Sequence, residues 1–98
     1  MSILLDMLRE EQERAFAMKS AIQQEVHALS KGCISRKVIR GKPAFYLQHR
    51  EGGKIVSRYI PNEKLEQVSK EVSRRRELRS MENEIVKNLK MIDRALKV

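Results

Sequence analysis

Every glycine and proline of this 98-residue chain lies between Gly32 and Pro61, and the long stretches on either side contain neither. These two residues interrupt helices and form turns more often than any others, so a long stretch without them favours a continuous helix. The distribution predicts one helix over residues 2–30, several chain reversals over residues 33–60, and a second helix over residues 61–97.

Apolar residues in the first stretch recur every three, four or seven positions, which places them in one stripe along a helix. Ser2 is suited to cap this helix, and Gly32 to end it. The stripe consists of Leu4, Leu8, Ala15, Met18, Ile22, Val26 and Leu29.

The last stretch has the same helical spacing, and Pro61 suits the first position of a helix, where a missing N–H costs little. Because a helix of about 50 Å is rarely stable alone, the two stripes are expected to pack antiparallel against each other. The second stripe consists of Leu65, Val68, Val72, Leu78, Met81, Ile85, Leu89, Ile92 and Leu96.

The middle segment contains three short runs rich in β-branched, aromatic and basic residues, which favour strands. Turn signals at Gly41-Lys42-Pro43 and Glu51-Gly52-Gly53 separate these runs. The predicted fold is therefore α+β and forms a single domain over residues 1–98. It is a long, coiled-coil-like antiparallel helical hairpin with an inserted three-stranded antiparallel β-meander that caps one end.

Positive charge is concentrated in the same middle segment. The chain has a formal net charge of +8, of which −2 falls in residues 2–30, +7 in residues 31–60 and +3 in residues 61–98. Concentrated positive charge attracts polyanions and speeds encounter with them, whereas an even distribution would indicate solubility alone.

The lengths of the two turns predict which side chains share a face of the sheet. We take Gly41-Lys42 as a two-residue loop and Glu51-Gly52-Gly53 as a three-residue loop. One face then carries Val38, Phe45, Leu47, Ile55 and Tyr59, which would pack on the helix ends. The other would carry the candidate nucleic-acid-binding residues Lys37, Tyr46, Gln48, Arg50, Lys54 and Arg58. A slip of one residue would exchange the faces of a strand.

The outward face combines cations with one aromatic ring. Lys37, Arg50, Lys54 and Arg58 would contact phosphates, and Tyr46 would stack on a base or pack on a sugar. Two alternatives remain open: the basic residues keep the face solvated and protect the sheet edges, or they bind a protein partner. The run Arg74-Arg75-Arg76 favours a solvated helix face over an extension of this surface.

Part of the second stripe is expected to lack cover, because the second helix is longer than the first. Uncovered stripes of this kind usually mark association surfaces. The sequence therefore predicts a homodimer whose interface includes Ile85, Leu89, Ile92 and Leu96.

The sequence lacks a nucleophile motif, a phosphate loop and an acid–base pair in an apolar setting, so we expect no enzymatic activity and no cofactor. Cys33, His27 and His49 do not have the spacing of a zinc site, so no metal is expected. A single cysteine forms no internal disulfide. With no signal peptide and no apolar run of about 20 residues, a cytoplasmic location is expected.

The stretch Gly41–Pro61 resembles a group of small uncharacterised proteins from bacteria, phages and mobile elements. It is more weakly similar to the arm-binding domains of tyrosine recombinases, which present a three-stranded sheet to DNA. The first likeness implies no settled function, and the second implies DNA binding. The long flanking helices depart from the recombinase pattern. The first likeness is carried by Phe45, Tyr46, Leu47, Arg50, Gly53, Lys54, Ser57, Arg58, Tyr59 and Ile60.

The leading interpretation is a small basic accessory protein that binds DNA or RNA phosphates through the outer face of its meander. The resemblance implies an alternative, a phage or mobile-element protein that inhibits a host nucleic-acid enzyme, as anti-CRISPR proteins do. A helical dimer with no ligand is the third possibility.

Overall fold

The computed structural model describes residues 2–97 and confirms the predicted α+β architecture. The sheet is antiparallel with strand order β1-β2-β3, and it lies in the sequence between two helices. Over residues 2–97, neither helix is long and apolar enough to cross a membrane. The elements are α1 (Ile3–His27), β1 (Cys33–Ile39), β2 (Lys42–Glu51), β3 (Lys54–Ile60) and α2 (Asn62–Leu96).

Both helices begin close to their predicted positions. The Ser2 hydroxyl accepts a hydrogen bond from the Leu5 amide at 3.4 Å, which confirms the predicted cap of α1. The Pro61 carbonyl accepts from the Lys64 amide at 2.9 Å. Pro61 is therefore the capping residue just before α2, whereas it was expected at the first position of the helix itself. The α1 helix ends at His27, short of the predicted residue 30.

The chain divides into two compact units. Unit 1 comprises Met1–Ala28 and Glu77–Val98, and in it α1 packs against the second half of α2 as a helical hairpin. Its buried side chains all come from the two predicted stripes, as hydrophobic periodicity indicated, whereas Leu4, Met18 and Met81 of those stripes are exposed. The buried side chains are Ile22, Val26, Leu78 and Ile85.

The expected uncovered stripe at the end of α2 is not observed. Ile85 is buried and Leu89, Ile92 and Leu96 are half-buried within the single chain. The reason is that α1 reaches this end of α2. The two helices together line one groove with Gln12, Phe16, Lys19, Val86, Leu89, Lys90 and Asp93. The homodimer stays a prediction, but the exposed apolar stripe on which it was based is not present at the end of α2.

Unit 2 comprises Leu29–Arg76, which includes the whole sheet and the first half of α2. Ile60 and Val72 are its buried apolar side chains. Two arginines of α2 bind the segment that leads into β1: Arg75 donates to the Leu29 carbonyl at 3.0 Å, and Arg76 donates to Cys33 Sγ at 3.2 Å. Part of the arginine run therefore makes specific contacts rather than forming only a solvated face.

Both hairpin loops contain two residues. Arg40 and Gly41 have φ values of 53° and 76°, and Gly52 and Gly53 have 57° and 81°. Two successive positive φ angles match the type I′ turn that suits a tight hairpin. The three-residue loop predicted at Glu51-Gly52-Gly53 is wrong, because Glu51 pairs with Lys54 inside the ladder.

Pro43 lies in the central strand, where proline is normally excluded because it cannot donate to the ladder. It is tolerated here because the ladder between β2 and β3 ends at Phe45 and Ile60. Pro43 therefore has a partner, Val38, on one side only. The turn predicted over Gly41-Lys42-Pro43 is formed instead by Arg40 and Gly41, because Lys42 and Pro43 belong to β2.

Gly32 provides a test of how tightly β2 packs on the chain before β1. It has a φ of +121°, and a Cβ atom there would lie 2.2 Å from the Gln48 carbonyl oxygen. We expect Gly32→Ala to lower the free energy of unfolding by more than about 2 kcal/mol, since both the φ angle and the clash oppose a side chain. Thermal denaturation followed by circular dichroism would measure this.

The matched control for this substitution is Gly53→Ala. Gly53 also has a positive φ, +81°, but a Cβ atom added there would have nothing within 4 Å. The substitution should cost only about 1 kcal/mol, the penalty of the backbone conformation alone. Equal losses in the two variants would show that the close approach to Gln48 is unimportant.

Candidate nucleic-acid interface

The register of the sheet determines which side chains share a face. In an antiparallel pair, directly opposed residues point to the same side, and successive residues alternate. Tyr46 lies opposite Ser35 on β1 and opposite Tyr59 on β3. The side that contains both tyrosines is here called the tyrosine face, and the other the phenylalanine face.

The composition of the two faces follows from this register. The tyrosine face carries Cys33, Ser35, Lys37, Ile39, Lys42, Ala44, Tyr46, Gln48, Arg50, Ile55, Ser57 and Tyr59. The phenylalanine face carries Ile34, Arg36, Val38, Pro43, Phe45, Leu47, His49, Glu51, Lys54, Val56, Arg58 and Ile60.

The six predicted binding residues do not share one plane. Four of them, Lys37, Tyr46, Gln48 and Arg50, lie together on the tyrosine face, as expected. Lys54 and Arg58 lie on the phenylalanine face, so their predicted placement is wrong. The surface proposed from sequence therefore exists only in part.

Loop length explains this correction. A two-residue loop in place of a three-residue loop shifts β3 by one position along β2, and a shift of one residue turns every side chain of a strand over. The β1 strand is shifted by two positions relative to the predicted pairing of Lys37 with Tyr46, which leaves its facing unchanged.

The same shift relocates two predicted core residues. Ile55 and Tyr59 lie on the tyrosine face and are 68% and 55% exposed. Val38, Phe45 and Leu47 stay on the phenylalanine face as predicted, although Val38 is 65% exposed. Only the part of this face near Leu47 and the buried Ile60 supplies core.

Sequence reasoning misses two residues of the tyrosine face, Lys42 and Tyr59. It assigns Lys42 to a turn and Tyr59 to the core face. The signal that could have found Tyr59 is the pair Gly52-Gly53, since two glycines in succession are typical of two-residue hairpin loops. Lys42 lies four residues before Tyr46, so alternation along β2 places both side chains on one face once the strand begins at Lys42.

Tyr46, at the centre of the tyrosine face, contacts Tyr59 of β3 on one side and Lys37 of β1 on the other. The rings of Tyr46 and Tyr59 form an edge-on pair with centroids 5.7 Å apart and planes at 68°. The Lys37 ammonium lies over the Tyr46 ring, with Nζ 5.0 Å from its centroid. Cation–π attraction of this kind favours a position of the charge over the Tyr46 ring.

Cations surround this aromatic centre without an opposing charge. Lys37, Lys42 and Arg50 belong to the tyrosine face, and none of its described strand residues is acidic. Arg50 lines a concave region together with Gln48, Ile55 and Lys31, which lies in the segment before β1. Anionic groups can approach this side of the sheet without meeting a carboxylate on it.

The phenylalanine face carries equal positive charge in a different setting. It has Arg36, Lys54 and Arg58, but Glu51 lies directly opposite Lys54. Near its buried end, Arg58 lines a cavity together with Lys64 and Val68 of α2. The first turns of α2 therefore lie against part of this face.

The charge distribution follows the two units. Unit 2 contains thirteen Lys and Arg against four Asp and Glu, a formal +9, whereas unit 1 contains eight against nine, a formal −1. The whole positive excess of the chain thus belongs to the unit that contains the sheet.

Metal-ligating side chains and the single thiol are the other groups that could form a functional site. Among residues 2–97, no group of three His, Cys, Asp or Glu side chains is close enough to hold a metal ion. Cys33 is an exposed free thiol, and the described part of the tyrosine face has no carboxylate to act with it as a base.

Comparison with known proteins identifies one family. The family model described as Domain of unknown function (DUF6788) matches residues 4–70, which is more than half of the chain and includes the entire sheet. No curated protein matches the chain. No solved structure matches it.

Proposed function

The chain belongs to the DUF6788 family, and because that membership names no activity, we propose from the sheet that it is a small nucleic-acid-binding protein of the cytoplasm. The tyrosine face is the binding surface. Its cations Lys37, Lys42 and Arg50 contact phosphates, and its two tyrosines contact bases or sugars.

The observation that carries this proposal is the combination of cations and aromatic rings on one side of the sheet, without an acidic residue among its described strand positions. Lysine and arginine supply most of the affinity for a phosphate backbone. Aromatic rings add contacts that a simple anion would not need. A surface built only for solubility would require neither the ring pair nor the exclusion of carboxylates.

Long-range attraction supports the same surface. A unit with a formal charge of +9 attracts polyanions from a distance and increases the rate at which they meet it. The nearly neutral unit 1 does not oppose this attraction. The tyrosine face is favoured over the phenylalanine face because Glu51 lies opposite Lys54 on the latter, and because the contact of Arg76 with Cys33 lies at the end of the tyrosine face, away from its aromatic centre.

Two matched triple variants test which face binds. Replacing Lys37, Lys42 and Arg50 by Gln removes three charges from the tyrosine face, and replacing Arg36, Lys54 and Arg58 by Gln removes three from the other. We expect the first variant to bind labelled oligonucleotides at least about tenfold more weakly and to reduce the slope of log K against log [salt] by about 2, since fewer phosphate contacts release fewer counterions. Fluorescence anisotropy over a salt series measures both quantities.

The second triple variant is the control, because it has the same net charge as the first. It should retain most of the affinity and most of the salt slope. If the two variants lose affinity equally, binding depends on total charge and not on the tyrosine face. If the first variant binds as tightly as the unmodified protein, the proposal is wrong.

Arg40 offers a separate test, because it combines positive charge with backbone strain at the tip of the first hairpin. It is the only described non-glycine residue with a positive φ, 53°. Asparagine adopts this conformation more readily, so Arg40→Asn should raise the free energy of unfolding by about 0.5–1 kcal/mol. The same change should weaken oligonucleotide binding by a few-fold. The weaker binding would come from the loss of one positive charge at the tip of the hairpin.

Arg40→Lys is the control, since it keeps both the charge and the strain. It should match the unmodified protein in thermal stability and in affinity. A gain in stability for Arg40→Asn with unchanged affinity would show that Arg40 does not contact the nucleic acid.

A further inference from the structure

The two tyrosines of the tyrosine face are the only tyrosines in the chain, which has no tryptophan. Their rings are inclined at 68°, so they do not present parallel faces to one ligand. The Lys37 ammonium already lies over the Tyr46 ring. Tyr46 itself is half-buried, whereas Tyr59 is 55% exposed. Tyr59 is therefore the ring that is free to accept another flat group.

An exposed ring between cations discriminates between forms of nucleic acid. In a duplex each base is covered above and below by its neighbours, and only its edges are accessible in the grooves. An unpaired base offers its whole face, and every base has such a face. A ring held on a sheet can therefore stack on a base only when the strand is single or has been opened.

We propose that the tyrosine face selects single-stranded nucleic acid by stacking one base on Tyr59 while Lys37, Lys42 and Arg50 hold the adjacent phosphates. This inference rests on the proposed function and specifies the class of polymer. Tyr46 positions the Lys37 ammonium, whose Nζ lies 5.0 Å from the centroid of the Tyr46 ring. Tyr46 also supports the Tyr59 ring, since the two ring centroids are 5.7 Å apart.

The absence of tryptophan makes the protein its own reporter, because all of its intrinsic tyrosine fluorescence comes from this face. The experiment titrates the full chain with oligothymidylate, with an abasic strand of equal length, and with a duplex of equal phosphate number. Stacking quenches tyrosine emission. We expect quenching with oligothymidylate and none with the abasic strand or the duplex. Quenching of equal size with all three would overturn the stacking inference.

Substitutions at Tyr59 test the same point by affinity. Tyr59→Leu should bind oligothymidylate about 5- to 100-fold more weakly, the range expected for loss of one stacked base. Its affinity for the abasic strand and the duplex should stay within about twofold, since the phosphate contacts remain. Tyr59→Phe retains the ring and should bind oligothymidylate as the unmodified protein does.

The outcomes separate this inference from the proposed function. If Tyr59→Leu binds oligothymidylate normally while the Lys37, Lys42 and Arg50 variant does not, phosphate binding stands and base stacking is wrong. If the unmodified protein binds none of the three polymers at low salt, both proposals fail. Should Tyr59→Leu not fold by circular dichroism, the fluorescence titration of Tyr46→Phe, in which Tyr59 is the sole emitter, decides the question.

Discussion

The pairing of Glu51 with Lys54 around the Gly52-Gly53 turn is the constraint on which the two faces of the sheet depend. With this two-residue turn, every residue of β3 opposes a defined residue of β2, and Tyr59 comes to lie opposite Tyr46. One more residue in the loop would place Tyr59 on the other side and Arg58 beside Tyr46. Which side chains of β3 lie on each face is therefore decided by the backbone geometry at these two glycines and not by the composition of the strand.

The same register explains why the basic residues of the sheet do not all have one role. Both β1 and β3 are edge strands, and charged side chains on edge strands discourage pairing with another chain. Arg36, Lys54 and Arg58 fit this structural role on a face that α2 and Glu51 partly occupy. Lys37, Lys42 and Arg50 lie where no carboxylate of the described strands neutralises them and where the rings cluster. Under the proposed function, ligand binding belongs to the tyrosine face and edge protection to the phenylalanine face.

The sequence predicted the elements of the fold well, because long apolar periodicity and the positions of Gly and Pro are strong local signals. The two helices, the cap at Ser2 and the three strands are all found in the structure. The candidate site was only half predictable. Lys37, Tyr46, Gln48 and Arg50 share a face because β1 slipped by an even number of residues, whereas Lys54, Arg58 and Tyr59 changed face because β3 slipped by one. Register has a period of two, so composition and propensity do not fix it. The sequence did not predict that Ile85 would be buried within the single chain. Which residues of one helix are buried by another depends on how far the two helices are offset along their axes, and neither apolar stripe contains that information alone.

The charge of unit 2 links its stability to its proposed ligand. A formal +9 within Leu29–Arg76 produces self-repulsion that opposes compaction. Only Ile60 and Val72 are buried apolar side chains there, so the unit has a small core with which to resist this repulsion. A polyanion on the tyrosine face neutralises part of the charge, and a ligand that binds only the folded form stabilises it by mass action. The features that weaken unit 2 in isolation are therefore the ones that would couple its folding to nucleic-acid binding.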